Sequence, residues 1–186
     1  GVTHTMKNSL MDIYKSVAKL NILKKGDIVL DIGANDGTML GFFNKKYITI
    51  GCEPAKNLQR SLKKNCNYII NDFWNIKSLK KLVHKKNLSK PKLITAIGMF
   101  YDLENPSKFI ADAYEALDDN GIFIAQLMCL ESMIKKNDLG NICHEHLEFY
   151  NYKSLKYLFE KINNIILSQP THHVWQRRTL QAHRVH

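Results

Sequence analysis

The residues best suited to chemistry lie in a short glycine-containing segment, Asp31 to Gly37, that directly follows an apolar run. Gly33 and Gly37 permit close backbone approach and φ values that other residues rarely adopt, so a bulky ligand can lie against this turn. In an open parallel sheet, ligands bind beyond the carboxyl ends of the strands, where this turn would lie. The segment therefore predicts a site for a nucleoside-bearing ligand.

The glycine spacing also separates two kinds of nucleotide site. Dinucleotide-binding turns carry G-x-G-x-x-G, in which the second glycine lets a pyrophosphate touch the backbone. Asn35 occupies that position here. Glu53, twenty residues beyond Gly33, can accept hydrogen bonds from both hydroxyls of a ribose, although NAD-dependent enzymes use an acid at the same place. The missing second glycine therefore argues against NAD.

Such a turn requires a sheet whose strands end at one edge, and the rest of the sequence has the pattern for it. Short apolar runs alternate with helical periodicity, which predicts a mostly parallel sheet with helices on both faces, a three-layer α/β/α Rossmann-like fold. Residues 129–150 are expected to be irregular. The predicted strands span 27–32, 47–52, 67–71, 92–97, 121–128 and 164–168. The predicted helices span 8–23, 37–45, 55–65, 75–87, 105–117 and 152–163.

Three segments together resemble a known enzyme family: 29–38, 51–55 and 142–150, the last of which reads Ile-Cys-His-Glu-His-Leu-Glu-Phe-Tyr. The Asp-x-Gly-x-x-x-Gly pattern of the first resembles motif I of class I methyltransferases that use S-adenosylmethionine (SAM), whose cofactor carries no phosphate. The whole set resembles the methyltransferase core of the C-methyltransferases that act on nucleotide-linked keto-sugars. The resemblance covers about residues 26–168.

This resemblance implies a SAM site, with S-adenosylhomocysteine (SAH) as the product. The residues that it assigns to the cofactor are Asp31, Ile32, Gly33, Ala34, Asn35, Gly37, Thr38, Glu53, Pro54, Asn71, Asp72, Phe73, Gly98 and Met99. Asp72 would accept a hydrogen bond from the adenine amino group, with Phe73 or Trp74 packing on the ring. Ordinary core packing is an equal alternative for both aromatic residues. Gly98 and Met99 would lie at the methionine end of the cofactor.

The resemblance assigns catalysis to His144, Glu145 and His146. His146 would be the base that removes a proton beside a ketone, and Glu145 would orient its ring. His144 faces the other way if the segment is extended. A polar loop that caps the sheet and a zinc or iron site are alternatives, but we favour catalysis and expect no metal, because His-x-His supplies only two ligands. Tyr101, after the fourth strand, is either a second acid or base or a packing residue.

The sequence departs from that family outside the core. The sugar enzymes carry a cysteine-rich zinc-binding region before the core and a substrate domain after it, and neither pattern occurs in these residues. A complete methyltransferase sheet also has a strand seven that runs antiparallel between strands five and six. Residues 173–180 would have to supply it, and they do not alternate convincingly. The C-terminal hairpin strand is therefore doubtful, and without it an exposed sheet edge would favour dimerisation.

Composition divides the chain into three parts. Residues 1–25 are interpreted as a leading helix preceded by the remnant of an expression tag, and 26–168 as the SAM-binding domain. Residues 169–186 contain no lysine and no acid but three arginines and four histidines. We interpret them as an atypical tail of vector or frame-shifted origin, with a natural basic tail as the alternative.

The formal net charge of +10 raises the question of a nucleic-acid partner. Because the lysines are spread along the chain, we prefer a solvated basic face that attracts an anionic small molecule, such as a sugar nucleotide. No apolar run has the roughly 20 residues needed to span a membrane, and no signal peptide is evident, so we expect a cytoplasmic enzyme. An RNA or protein methyltransferase and an inactive SAM-binding module are the alternatives.

Overall fold

The computed structural model describes residues 3–137, 140, 142–144, 146–161, 166–168 and 173–176. Within these residues the strands are β1 Ile28–Ile32, β2 Ile48–Cys52, β3 Tyr68–Ile70, β4 Leu93–Ile97, β5 Ile122–Gln126, β6 Ile166–Ser168 and β7 His173–Gln176. The helices are α1 His4–Leu20, α2 Thr38–Gly41, α3 Gln59–Asn65, α4 Ile76–Lys86, α5 Pro106–Ala116, α6 Leu130–Lys136 and α7 Tyr152–Glu160. Short 3₁₀ turns occupy Lys56–Leu58 and Phe100–Asp102.

The strands form one sheet in the order β3-β2-β1-β4-β5-β7-β6. The first five strands are parallel, and β7 pairs antiparallel with both β5 and β6. Helices α2 and α3 lie on the face that also carries α1, and helices α4 and α5 lie on the opposite face with α7. The predicted three-layer α/β/α arrangement is confirmed.

The central strand β1 sets the position of the site. All five of its residues are buried, because β2 and β4 pair with its two edges and helices cover both faces. Its register places Asp31 level with Gly51 of β2 and with Thr95 of β4. An acidic side chain is therefore held inside the sheet, one residue before the strand ends.

The sheet separates two apolar cores. On one face, Ile13 and Val17 of α1 pack with Leu40 and Phe43, all with almost no exposed surface. On the other face, rings from α5, α7 and the segment after β4 pack against β5, as in the 5.6 Å contact between the Phe100 and Phe109 centroids. These two cores fix α1 and the turn after β4 on opposite sides of β1.

The segment after β5 is more regular than the sequence predicts, because it contains α6. Met133 is the one buried residue of this helix, and a single buried position gives too short a pattern to reveal a helix. The segment closes on itself where the Leu130 N–H donates to the Tyr150 carbonyl at 2.9 Å. This hydrogen bond joins the two ends of the segment beyond the carboxyl end of β5.

The doubt about strand seven was wrong. β7 spans residues 173–176 and lies between β5 and β6, with Ile122 level with Gln176. Alternation of polar and apolar residues is typical of a strand with one solvated face, and its absence does not exclude a strand. The outer strand on this side is therefore β6.

Gly37 and Gly26 provide a matched pair for testing the packing of the turn after β1. Both have a φ near the left-handed region, but only at Gly37 would an added Cβ meet other atoms, at 2.8 Å from Asn65 Cβ and 2.9 Å from Leu62 Cδ1. Gly26→Ala should cost about 1–2 kcal/mol of unfolding free energy. Gly37→Ala should cost about 2–5 kcal/mol, because overpacking adds to the backbone strain. Urea denaturation measures both losses, and equal losses would contradict the close packing at Gly37.

Candidate functional site

A cleft of about 540 Å³ opens beside the turn that follows β1. The predicted cofactor residues that line it are Asp31, Gly33, Ala34, Asn35 and Thr38. Ile97, at the end of β4, forms part of the wall. The cleft therefore lies beyond the carboxyl ends of the two central strands, as expected for a parallel sheet.

Backbone hydrogen bonds connect the turn after β1 to the end of β2. The amides of Gly33 and Ala34 both donate to the Cys52 carbonyl of β2, at 2.9 and 3.1 Å. A Cβ at Gly33 would lie 3.0 Å from Met99 Cγ, so only glycine lets the Met99 side chain pack this closely. This contact brings together the turns that follow β1 and β4, and with them two of the predicted cofactor residues.

Glu53, at the end of β2, is tied to the same turn. Its Oε2 accepts a hydrogen bond from the Asn35 N–H at 3.0 Å, and its Oε1 accepts one from the Ala55 N–H at 2.9 Å. The residue is only 6% exposed. A carboxylate has about four lone-pair positions, so two remain for further donors such as ribose hydroxyls.

The Asn35 amide also bears on the choice of ligand. In a dinucleotide site, backbone N–H groups of this turn point at the pyrophosphate. Here that N–H is used by Glu53, whose negative charge would repel a phosphate placed beside it. The local electrostatics therefore disfavour a dinucleotide at this turn.

Asn71, after β3, joins the ends of β2 and β3. Its Nδ2 donates to the carbonyl oxygens of Glu53 and Pro54, at 3.0 and 3.1 Å. These contacts set the position of the chain between Glu53 and Pro54 without placing the Asn71 amide against the cleft wall. Ile32 and Pro54 likewise support the site from β1 and from the segment after β2, and the lining of the cleft does not include them.

The three residues that follow Asn71 have distinct environments. Asp72 accepts hydrogen bonds from the Phe73 N–H and from Asn75 Nδ2, at 2.8 and 3.0 Å, and so stabilises the start of α4. Trp74 packs in the core, with its ring centroid 6.4 Å from that of Phe109. Phe73 is 75% exposed. Of the two aromatic candidates, Phe73 alone has a free ring face.

Asp31 is a buried acid at the bottom of the cleft. Thr95 Oγ1 donates a hydrogen bond to its Oδ1 at 2.6 Å, and the residue is only 3% exposed. Burial raises the pKa of Asp31 to about 7, the Thr95 hydrogen bond opposes this rise, and the nearby charge of Glu53 adds to it. A cationic group in the cleft would favour the ionised form of Asp31.

Helix α1 contributes to the cleft in a way that the sequence did not indicate. Thr3, Met6 and Leu10 line one wall, and Gln126 of β5 hydrogen-bonds to Ser9 at 3.2 Å. The apolar period of the helix predicts its buried stripe but not the element against which its first turns lie. The lining also includes Leu58 and Ser61, near the start of α3, and the sequence did not indicate these residues as part of a site.

The candidate catalytic segment is anchored to Tyr101. The N–H groups of Leu147 and Glu148 donate to the Tyr101 carbonyl at 2.9 and 3.1 Å. The His146 ring lies against the Tyr101 ring in an edge-on contact, with centroids 4.5 Å apart. His146 is therefore half-buried beside the turn after β4, although the lining of the cleft does not include it.

The other members of the predicted catalytic set differ from His146. The His144 side chain is exposed, and Glu145 lies outside the described residues. Tyr101 donates its hydroxyl to the Gly98 carbonyl at 2.9 Å, and burial raises its pKa, so the phenol stays protonated near neutral pH. Tyr101 is thus a packing residue and hydrogen-bond donor in this structure. In the part of the chain that the structure describes, no group of three His, Cys, Asp or Glu side chains could hold a metal ion.

Comparison with known proteins identifies the family. A family model described as a methyltransferase domain matches residues 2–169. The chain belongs to this family. The prediction of a class I SAM-dependent methyltransferase domain is confirmed. Among the described residues, no helix is long and apolar enough to cross a membrane.

Individual relatives of the methyltransferase domain are distant. C-methyltransferase NovU of Streptomyces niveus is 24% identical over 139 residues, which cover 74% of this chain and 33% of NovU. An S-adenosylmethionine-dependent methyltransferase from Clostridium acetobutylicum has a TM-score of 0.65 at 11% identity, over 94% of this chain and 92% of that one. The plantazolicin methyltransferase BpumL, in complex with a pentazolic desmethylPZN analog and SAH, has a TM-score of 0.64 at 17% identity, over 89% and 68%. These structural matches show a shared fold.

The cleft of the methyltransferase domain suits SAM. Its volume lies within the roughly 300–1,000 Å³ typical of small-molecule sites. The Asp31 carboxylate at its base matches the positive charge of SAM, which carries an ammonium and a sulfonium. The turn after β1 presents no free Asn35 amide for a phosphate, and SAM has none. The residues present therefore fit the cofactor of the family.

The raised pKa of Asp31 predicts a pH-dependent stability for the ligand-free protein. Between about pH 4 and pH 7 the folded state binds more protons than the unfolded state, so the unfolding free energy should fall as the pH rises. Asp31→Asn should remove up to about 4 kcal/mol of this change. Denaturant titrations across this pH range measure the slope. Asp12→Asn, on the exposed side of α1, is the control and should keep it; an unchanged slope in Asp31→Asn would contradict the burial of an ionisable acid.

Proposed function

We propose that this methyltransferase domain transfers the methyl group of SAM to a carbon beside the ketone of a small molecule, and that the acceptor is a nucleotide-linked keto-sugar or a similar carbon acid. The proposal rests on His146, an imidazole held half-buried against Tyr101 beyond the end of β4. NovU, a C-methyltransferase, gives the proposal distant support from sequence.

A chain of contacts relates His146 to the cofactor cleft. The His146 ring packs on Tyr101, whose hydroxyl donates to Gly98, and the neighbouring Met99 side chain packs against Gly33 in the cleft wall. An acceptor bound between His146 and the cleft would lie close to both a base and the methyl donor. Such proximity is the main requirement of methyl transfer, because the reacting atoms must approach in line.

His146 is proposed as the general base. As a neutral imidazole it accepts the proton from the carbon beside the ketone, and the electrons of that C–H bond become the enolate-like nucleophile. When bound, SAM supplies an electrophilic methyl group on a sulfonium. The new carbon–carbon bond forms as the sulfur–methyl bond breaks, and its electrons remain on the sulfur of the product SAH. The edge-on contact with Tyr101 would hold the His146 ring in one orientation.

The remaining site residues are proposed to hold the cofactor. Glu53 offers its two free lone-pair positions to the ribose hydroxyls, and Asp31 faces the cationic methionine end. Phe73, with its exposed ring, packs on the adenine. Asp72 can accept a hydrogen bond from the adenine amino group only if it gives up one of its hydrogen bonds with Phe73 or Asn75 at the start of α4.

Calorimetric titration of the purified protein tests the choice of cofactor. SAM and SAH should both bind, and each should bind at least about tenfold more tightly than NAD, because Glu53 disfavours a phosphate beside Asn35. Tight NAD binding with no SAM binding would contradict the proposed site. SAM binding without methyl transfer to any carbon acid would instead favour a SAM-binding module, and would leave the cofactor assignment standing.

His146→Ala tests the proposed base. Turnover, followed as SAH formation with a nucleotide-linked keto-sugar, should fall about 10²- to 10⁴-fold because proton removal is lost. SAM affinity should change by less than about twofold, because His146 does not line the cleft. His84→Ala, which removes an exposed imidazole from α4, is the matched control. A large loss of SAM affinity in His146→Ala would mean that the segment has a structural role.

A further inference from the structure

The positive charge of the chain is concentrated in one stretch of the sequence. Residues 54–101 contain eleven lysines and arginines but a single acid, Asp72. The rest of the chain contains 16 basic and 16 acidic residues. The formal net charge of +10 therefore comes entirely from this stretch, although lysines also occur elsewhere in the chain.

The fold gathers these charges around one edge of the sheet. Four of the eleven cations belong to the 3₁₀ turn at Lys56–Leu58 and to α3, five belong to α4, and two follow α4. α3 and α4 lie on opposite faces of the sheet, and both pack on β3, the strand at its edge. Lys86 Nζ lies 5.6 Å from the centroid of the Tyr68 ring, so the last residue of α4 contacts the first residue of β3. We call the exposed cations of residues 56–65 and 76–86 the β3-edge surface.

Most of these charges form no ion pair with another described residue. Lys80 pairs with Glu115, and Lys92 pairs with Asp118 at 2.8 Å, both on the side toward α5. Lys63, Lys81 and Lys85 are exposed and form no ion pair with any described residue. Like charges that are not neutralised create a positive potential extending about a Debye length from the surface.

The composition of this surface distinguishes between partners. Protein interfaces have apolar centres and are depleted in lysine, and membrane-binding surfaces combine basic residues with apolar anchors. Phe73 is the one large apolar side chain with high exposure among the described residues of 54–101. Lysines without an apolar centre suit a phosphate backbone, to which they bind as point charges.

We propose that the β3-edge surface binds the phosphate backbone of nucleic acid. The surface contains one arginine, Arg60, and lysines otherwise, and lysine lacks the rigid planar fork with which arginine makes bidentate contacts. Binding is therefore independent of base sequence and weakens steeply with salt. This inference does not depend on the methyl acceptor, because the surface lies around β3 and the His146 segment lies beyond β4 and β5.

Fluorescence anisotropy with a labelled DNA duplex of about 20 base pairs tests the proposal. The chain should bind at low salt, and the logarithm of its Kd should rise linearly with the logarithm of salt concentration. The variant Lys63→Glu/Lys81→Glu/Lys85→Glu should weaken binding at least about tenfold. The control variant Lys19→Glu/Lys25→Glu/Lys153→Glu makes the same change in net charge at exposed positions elsewhere and should weaken it less than about threefold.

Three outcomes would overturn the proposal. Absence of duplex binding by the unmodified chain at low salt would do so, as would equal weakening by the two variants, since binding would then reflect overall charge alone. Preferential binding of an acidic peptide over the duplex would instead identify a protein partner. Thermal melting and SAM titration of both variants check that they remain folded, because none of the six lysines lines the cofactor cleft.

Discussion

The hydrogen bond from Thr95 to Asp31 is the interaction around which the site is arranged. A carboxylate inside a sheet is costly unless a donor satisfies it, and the parallel register of β1 and β4 puts Thr95 level with Asp31. The strand can therefore carry an acid next to its last residue and remain buried. The turn that follows then brings Glu53 and Met99 into contact with the same few residues. A small polar network thus fixes the geometry of three strand ends.

The parts that the sequence predicted correctly are those governed by local pattern. The apolar run before Asp31, the glycines of the turn and the alternation of strands and helices depend on residues close together in the chain. The parts that it missed depend on distant packing. Whether Trp74 faced a ligand or the core was decided by Phe109, and the contact of α1 with the cleft was decided by how the helix lies across the sheet. The periodicity of apolar residues predicts neither the environment of Trp74 nor the position of α1 on the sheet.

The contrast between local pattern and distant packing also applies to the candidate site and to the distribution of charge. The resemblance indicated His146, but its contact with Tyr101 depends on the return of a loop to the end of β4, which no local pattern describes. Lysines that occur in many separate segments look like a solvated face, yet the acids are not distributed in the same way. Two helices that pack on the edge strand β3 from opposite faces then place most of the excess basic residues near that edge.

The participation of α1 in the cleft has a practical consequence for handling the protein. Thr3 accepts the capping hydrogen bond from the Met6 amide and also lines the cleft, so the first turn of the helix and the ligand site share residues. A purification tag fused ahead of this turn would therefore lie close to the cleft. Ligand affinities should therefore be compared between preparations that carry the same residues ahead of Thr3.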